Sequence, residues 1–461
     1  MLTKEYIKEI KKNGEDSLTQ LIRDNEGNIS SINFILSNLG QLSKNFSGEI
    51  FIELLNHKNA GIRALAIKNL GKLTNEKYLE ILYQISKSDV DTTVRREAIS
   101  SIGRFRTKSI KPILREALMD NDPKIVCQAI RGLLVFKGSG VDEDLKSLIN
   151  HQNEMVRTII YKEYFSEKKA NIKQAHSESY DYLKNVVVNA DTLDVMKLIE
   201  DDSIHLTFTS PPYYNARDYS IYPSYNAYLE FLAEVFKEVH RITKEGRFLI
   251  VNTSPIIIPR ISRAHSSKRY PIPFDIHKYL MEMGWEFIDD IVWMKPEASV
   301  KNRIGGFMQH RKPLAYKPNC VTEYLMVYRK STDKLIDWNI KQYSLDKVES
   351  SKVEDGYEST NVWRIDPSFD KVHSAIFPVE LCKRVIKYYS FKDDLVFDPF
   401  GGSGTMGRTA KNLGRNFLLT EKEDKYFEYM KSKAAKNNSE NEKTHFLNLN
   451  EFKEWISQEK L

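Results

Sequence analysis

Apolar residues in the first third of the chain fall at a helical spacing, and the helices they predict recur. Ile62, Val94, Ile125 and Val156 each open an apolar-periodic stretch, such as Ile62-Arg63-Ala64-Leu65-Ala66-Ile67 or Val94-Arg95-Arg96-Glu97-Ala98-Ile99. The steps between these four residues are 32, 31 and 31. Three positions before each stands Asn59, Asp91, Asp122 or Asn153. Asn and Asp are good N-caps, because the side-chain oxygen accepts a hydrogen bond from an orphan N–H of the first turn. A capped amphipathic helix returning every ~30 residues describes an all-α solenoid, whose core is supplied by stacking because no helix pair buries its stripe alone. Residues 1–165 are predicted to form this repeat domain.

The repeat resembles short HEAT repeats, with a period below the ~40–47 residues usual for that family. Arg63, Arg95 and Arg157 each follow the first apolar residue of a repeat. They form either a basic ladder spaced to meet phosphates or contacts that hold the stack together. Residues 166–183 turn polar and read as a linker. From 184 to 461, apolar runs alternate with amphipathic stretches, the signature of an α/β domain with a largely parallel sheet.

Composition narrows the class without naming it. The 461 residues are 41% hydrophobic and 29% charged, which suits a soluble globular chain of two or three domains. A net charge of +6 is compatible with a polyanionic partner and does not require one. No stretch approaches the ~18 apolar residues of a membrane span, and Met1-Leu2-Thr3-Lys4-Glu5 lacks the apolar core of a signal peptide. Cys127, Cys320 and Cys382 are widely spaced, which argues against a disulfide framework or a cysteine metal site and for the cytoplasm.

The chemistry begins where the strand predicted over Ile204–Thr209 runs into Ser210-Pro211-Pro212-Tyr213. Two prolines end the strand and stiffen the backbone, at a carboxyl end where open α/β sheets bind ligands. An exocyclic amine on a base is a poor nucleophile, because its lone pair is delocalised into the ring. Ser210 Oγ and the Pro211 carbonyl are acceptors suited to the amine hydrogens, Pro212 helps fix their direction, and both acceptors stabilise positive charge developing on nitrogen. Tyr213 offers a face for an extruded base, worth roughly 1–3 kcal/mol by analogy with other base–aromatic stacks.

A second apolar strand, Leu395-Val396-Phe397-Asp398-Pro399-Phe400, leads into Gly401-Gly402-Ser403-Gly404-Thr405, and Met406 to Leu413 reads as a helix. A strand–glycine loop–helix lets a cofactor approach the backbone and points helix N–H groups at it. The next strand, Asn416–Thr420, ends in Glu421, placed to bond ribose hydroxyls. The absence of G-K-[ST] disfavours a phosphate-binding P-loop.

From about Val186 to Tyr429 these segments resemble, in order, the DNA amino-methyltransferases whose catalytic motif precedes the cofactor loop. The resemblance implies a Rossmann-like S-adenosylmethionine-dependent methyltransferase fold, with the HEAT-like solenoid ahead of it. It implies that Asp191 contacts the cofactor adenine and that His373, Phe377 and Pro378, in His373-Ser374-Ala375-Ile376-Phe377-Pro378, pack against its methionine end. It assigns Asp398, Phe400, Gly401, Gly402, Ser403, Gly404 and Thr405 to the cofactor loop and Glu421 to the ribose. Ile291–Lys295 and Val321–Tyr328 resemble the family's middle strands. No metal is implied. The Ser-Pro-Pro-Tyr form resembles enzymes that make N4-methylcytosine, and Asp- or Asn-Pro-Pro-Tyr those that make N6-methyladenine. The Ser hydroxyl serves either amine, so adenine stays open. Cytosine C5 chemistry needs a Pro-Cys nucleophile, and Val126, Asn319 and Leu381 precede the three cysteines.

The implied partner is double-stranded DNA, with the base flipped out of the stack. A restriction endonuclease is implied as a separate protein. Two basic stretches are candidate recognition loops. One carries Arg260, Arg263, His265, Lys268 and Arg269; the other carries Lys301, Arg303, His310, Arg311, Lys312 and Lys317, with Gly305, Gly306 and Phe307 between. Residues 346–360 are either further recognition surface or disordered. A reading of another class makes the chain a non-catalytic binding protein built on its solenoid.

Overall fold

The structure, a computed structural model, describes every residue except 1, 44, 166–173, 216–221, 259–261, 263, 266, 303, 371–375, 436–443 and 460–461. Two compact units result, Met1–Lys169 and Ala170–Leu461. Among the described residues no helix is long and apolar enough to cross a membrane.

The first unit is all helix. The repeated stretches form the helices Ala60–Leu73, Thr92–Ile102, Pro123–Leu134 and Glu154–Ile160, and Asn59, Asp91, Asp122 and Asn153 cap them through their side chains. Ile62, Val94, Ile125 and Val156 are all buried in one continuous core. The helices approach closely where side chains are small. A Cβ on Gly71 would meet Ser101 Cβ at 2.4 Å, and one on Gly132 would meet Gly103 Cα at 3.2 Å.

The three repeat arginines hold this stack. Arg63, Arg95 and Arg157 donate Nη1 to the carbonyls of His57, Asp89 and His151, at 2.9, 2.8 and 2.7 Å. Each staples its helix to the turn six residues earlier, and Arg63 also forms a half-buried ion pair with Asp89 at 2.8 Å. Of the two readings, these contacts favour the one in which the arginines hold the stack. A shared turn accompanies them. His57 and His151 accept through Nδ1, and Asp89 and Asp120 through Oδ1, each from the N–H of the N-cap residue two positions on.

The second unit is built on a nine-stranded sheet. Its strands are β1 (Val186–Asn189), β2 (Ile204–Thr209), β3 (Thr243–Thr253), β6 (Trp285–Met294), β7 (Thr322–Lys330), β8 (Val362–Arg364), β9 (Leu395–Asp398), β10 (Asn416–Glu421) and β11 (His445–Asn448); β4 (Ile256–Ile258) and β5 (Lys268–Tyr270) form a separate hairpin. The order is β11-β1-β10-β9-β2-β3-β7-β6-β8. The strands from β11 to β3 run parallel, and β7 is antiparallel to both β3 and β6. Near-continuous apolar runs such as Val186-Val187-Val188 follow from burial on both faces. Alternate residues serve two cores. Phe397 and Leu418 face one with Phe236 and Phe452, whereas Val396 and Leu419 face the other with Leu381 and Ala410.

The chain leaves β2 toward β3 on one side and leaves β9 toward β10 on the other. The reversal between β2 and β9 opens a crevice at their carboxyl ends, the place where doubly wound sheets bind ligands. The amino ends are closed by a buried polar cluster. Arg247 pairs with Asp394, Tyr343 OH donates to Asp394 Oδ1 at 2.6 Å, and Leu395 N donates to His205 Nδ1 at 3.1 Å. Burial alone would push the Asp394 carboxyl up, but Arg247 beside it holds it below the usual range. Burial drives His205 down to about 3, so it is neutral.

Two expectations change here. Tyr182 and Leu183, placed in the linker by their polar neighbours, are buried in the core of the second unit, and Trp455 Nε1 donates to the Tyr182 carbonyl at 3.0 Å. Residues 346–360 are held at the amino end of β9. Leu345–Ser350 is a short helix, and Lys347 pairs with Asp393 at 2.9 Å.

Candidate active site

β2 is buried along its whole length and stops where Pro211 and Pro212 remove two ladder donors. Thr209, its last residue, donates Oγ1 to Asp398 Oδ1 across the crevice at 2.6 Å. That bond ties the end of β2 to the end of β9. Beyond it Ser210, Pro212 and Tyr213 are half-buried and Pro211 is buried. Tyr214 anchors the segment among Tyr225 and Tyr270, with ring centroids at 5.4 and 5.1 Å.

A carboxylate organises the motif from the neighbouring strands. Glu323 Oε2, on β7, accepts from Tyr213 OH at 3.1 Å and from Asn252 Nδ2, on β3, at 2.7 Å. Asn252 Nδ2 also lies 3.4 Å from Ser210 Oγ. Lys295, just past β6, pairs with Glu323 Oε1 and lies 4.4 Å from the Trp293 ring centroid. Burial, and then Glu323, push the Tyr213 phenol well above its ordinary value, so it stays a donor. Asn252 is buried, and its Oδ1 has no partner among the described residues.

The glycine loop packs against β10. Gly401 N donates to the Thr420 carbonyl at 2.8 Å, and Gly402 N to Glu421 Oε2 at 2.7 Å. Gly404 has φ 70°, and a Cβ there would strike Met430 Sδ at 2.7 Å. Ser403 and Thr405 share a hydroxyl–hydroxyl hydrogen bond of 3.0 Å, and Thr405 begins the helix that runs to Asn412. Asp398 Oδ1 accepts from Phe400 N at 3.0 Å. Burial pushes Asp398 up to about 6 and Glu421 up to about 7. Neither forms an ion pair with a described residue.

The structure therefore gathers Ser210, Pro211, Pro212, Tyr213, Asp398, Phe400, Gly401, Gly402, Ser403, Gly404, Thr405 and Glu421 around one crevice. Asp191 stands at the end of β1 beside β10, where Ala190 N donates to the Glu421 carbonyl at 3.1 Å; its own Oδ1 caps the helix Thr192–Met196. Phe377 stacks on Phe208 of β2, with centroids 4.5 Å apart, and Pro378 precedes the helix Val379–Tyr389. His373 lies outside the described residues, as do Arg260, Arg263 and Arg303. The rest of both basic stretches lies in the connections β3–β6 and β6–β7. Those connections meet at the carboxyl end of β3, because Thr253 pairs with Tyr324 and Met294 with Thr322. Sequence reasoning missed Asn252, Lys295 and Glu323 as parts of the site. The available signal was a carboxylate at the head of the apolar strand Thr322–Lys330.

This arrangement combines hydrogen-bond acceptors at the end of one strand, a half-buried aromatic ring and a glycine loop with two protonatable carboxyls. Among the described residues no group of three His, Cys, Asp or Glu is placed to hold a metal.

Comparison with known proteins agrees with this geometry. Residues 204–432 match the family model described as DNA methylase, and residues 79–162 match that of HEAT repeats. The type II beta methyltransferase M.BslI of Bacillus sp. (strain NEB-606) is 26% identical over 275 residues, covering 57% of this chain and 29% of that protein. The type II methyltransferase M.MwoI of Methanothermobacter wolfeii is 23% identical over 267 residues, covering 55% of this chain and 35% of that protein. The chain thus spans about a third of the length of these two relatives. A candidate DNA modification methylase from Thermus thermophilus, solved in complex with S-adenosyl-L-methionine, is 24% identical, with a TM-score of 0.47, covering 57% of this chain and 98% of its own. This chain carries a DNA methylase domain and, ahead of it, HEAT repeats.

Proposed function

We propose that the chain is an S-adenosylmethionine-dependent methyltransferase acting on the N4 amine of cytosine in duplex DNA. The observation that carries the reading is the 2.6 Å bond from Thr209 to Asp398. It fastens the strand that leads into Ser210 to the strand that leads into the glycine loop, so acceptors and loop share one crevice.

The residues fit the cofactor. Gly404 has a positive φ and lies where a Cβ would strike Met430, so the loop keeps its tight turn beside the crevice. Asp398 and Glu421 are buried carboxyls with no ion pair to a described residue, suited to hydroxyl and N–H donors of a nucleoside. The bound cofactor supplies an electrophilic sulfonium methyl. Asp398, Phe400, the 401–405 loop and Glu421 would hold it, with Asp191 toward the adenine and Phe377 and Pro378 toward the methionine end, where the family resemblance also puts His373.

The chain's own residues do the remaining work. Ser210 Oγ and the Pro211 carbonyl accept the amine hydrogens and free the nitrogen lone pair. Glu323 fixes Asn252 and Tyr213, so the acceptors need not reorganise as charge develops. The face of Tyr213 stacks the flipped base. The basic connections β3–β6 and β6–β7 border the same rim and are the recognition loops of this reading. A serine in the first motif position favours cytosine, with adenine N6 as the runner-up. The type II names of the relatives support a restriction–modification pairing with a separate endonuclease.

Mass spectrometry of nucleosides from duplex DNA incubated with the chain and cofactor tests this. N4-methylcytosine is expected. N6-methyladenine alone would overturn the base assignment, and no methylated base would overturn the activity.

A further inference from the structure

Some cations of the solenoid are neutralised across the stack. Lys77 pairs with Glu49 at 3.3 Å, Lys87 with Glu116 at 2.8 Å and Arg115 with Asp144 at 2.7 Å. Five on or just beyond the second helices, the capped ones, have no ion pair across the stack among the described residues. Lys68 and Lys72 lie on the helix Ala60–Leu73, Arg96 on Thr92–Ile102 with Arg104 just beyond it, and Arg131 on Pro123–Leu134. The repeat steps put Lys68 and Arg131 at one position of the unit, and Lys72 and Arg104 at another.

Local geometry keeps these charges together. Arg104 Nη1 donates to the Lys68 carbonyl at 2.9 Å. Lys72 Nζ donates to the Gly40 carbonyl at 3.0 Å, and Lys11 Nζ to the carbonyls on either side of it, Leu39 at 3.0 Å and Gln41 at 2.7 Å. One acid lies among them, Glu97, paired with Arg104 at 3.2 Å, and burial pushes its carboxyl up. Lys72 is pulled down by burial and then by Lys68, Arg104 and Lys11. Arg104 alone of the row is in an ion pair to a described residue, and the cations outnumber the one acid among them. Folding gains nothing from such crowding, whereas a polyanion would release it.

We propose that this row on the second helices of the solenoid binds the phosphate backbone of duplex DNA. The choice of duplex DNA over other polyanions rests on the DNA methyltransferase reading above. The contacts are to phosphates, so they hold the chain on DNA and carry no base preference. Each neutralised phosphate contributes about 0.9 to the slope of log affinity against log salt.

The test uses the full chain and a 30-base-pair duplex titrated across salt concentrations. The variant is Lys68→Ala/Lys72→Ala/Arg131→Ala. The control is Lys58→Ala/Lys108→Ala/Lys146→Ala, which removes equal charge from exposed lysines elsewhere in the solenoid. The double variant Lys68→Ala/Arg131→Ala spares the Lys72 bond to Gly40 and guards against a folding defect. We expect the triple variant to bind about tenfold or more weakly near 0.1 M salt with a slope smaller by about 2–3, the double variant to lose about two-thirds of that slope, and the control to match the parent. Unchanged affinity and slope in the triple variant, with methyl transfer by the parent intact, would overturn this inference alone. Tighter binding of the parent to polyglutamate or single-stranded RNA than to the duplex would also overturn it. A parent that neither binds the duplex nor transfers a methyl group would overturn the activity as well.

Discussion

Two buried carboxyls on one strand have opposite circumstances. Asp394, at the amino end of β9, accepts from Arg247, Tyr343 and the N–H of Phe391, and is held low. Asp398, at the carboxyl end, has among the described residues only Thr209 and the N–H of Phe400 as donors and is pushed up to about 6. Four residues, or about 13 Å of strand, separate them. The amino pole is satisfied internally and serves the fold. The carboxyl pole, with Glu421 beside Asp398, is met only by hydroxyl and backbone N–H donors among the described residues. An arginine committed at one end and two carboxyls without an ion pair to a described residue at the other fit a second end kept for a ligand.

The largest effect should come from exchanging roles at the poles. Asp394→Ala strands the buried Arg247 guanidinium and is expected to cost about 3–5 kcal/mol of stability, read as a large drop in denaturation midpoint. Asp398→Asn keeps the Oδ1 acceptor for Thr209 and Phe400 and should stay within about 1 kcal/mol of the parent. Calorimetry on that variant should nevertheless show cofactor affinity at least ~100-fold weaker, since a charge-assisted bond to a buried site is lost. Equal destabilisation by both substitutions would break the distinction between the poles.

Glu323 sharpens the rule, because it lies at the carboxyl pole but is paired like Asp394. It should therefore position other groups rather than hold cofactor. Glu323→Gln is expected to lower turnover about 100-fold, the scale of a small misplacement of reacting groups. Cofactor affinity should stay within about twofold. A parallel loss of cofactor binding would show that Glu323 serves the other half of the crevice.

The donor-poor pole also makes a pH prediction. Asp398 and Glu421 have folded values near 6 and 7, above their unfolded ones. The folded chain then holds extra protons between about pH 4 and 7. Their contribution to stability is present at low pH and is lost as pH rises through those values. Nucleoside hydroxyls favour the ionised carboxylates, so cofactor binding should release protons and tighten by up to about a hundredfold per pH unit below pH 6, where both are protonated, and about tenfold from there to pH 7. Calorimetry in buffers of different ionisation enthalpy measures the released proton; flat affinity over that range would contradict the assignment.

What was legible in the sequence had a local cause. The strand Ile204–Thr209 was visible because its apolar run meets two prolines, and the glycine loop because strand, loop and helix follow in order. The solenoid was visible because its caps recur. The positions that hold those pieces together were not. Glu323 reaches Tyr213 across 110 residues, and Thr209 reaches Asp398 across 189. No spacing rule encodes a contact made by sheet order. The repeat arginines were legible only in part. Their period was visible, but their bonds to turn carbonyls depend on backbone geometry that periodicity does not specify. Tyr182 and Leu183 were obscured by polar neighbours, and their burial is decided by strands that come later in the chain.

The finest test matches one donor at each pole. Tyr343→Phe removes a hydroxyl that donates to Asp394 at 2.6 Å, and Thr209→Val removes one that donates to Asp398 at the same distance. At the amino pole the remaining ion pair keeps Asp394 charged. The deletion should therefore cost about 1–2 kcal/mol throughout the neutral range, with cofactor binding unmoved. At the carboxyl pole Asp398 has no cation to keep it ionised. Losing Thr209 should leave it protonated to higher pH, so stability barely changes and the pH at which cofactor affinity turns upward moves higher. The two substitutions are nearly equal in size, and only the pole at which the donor sits makes one a stability variant and the other a titration variant.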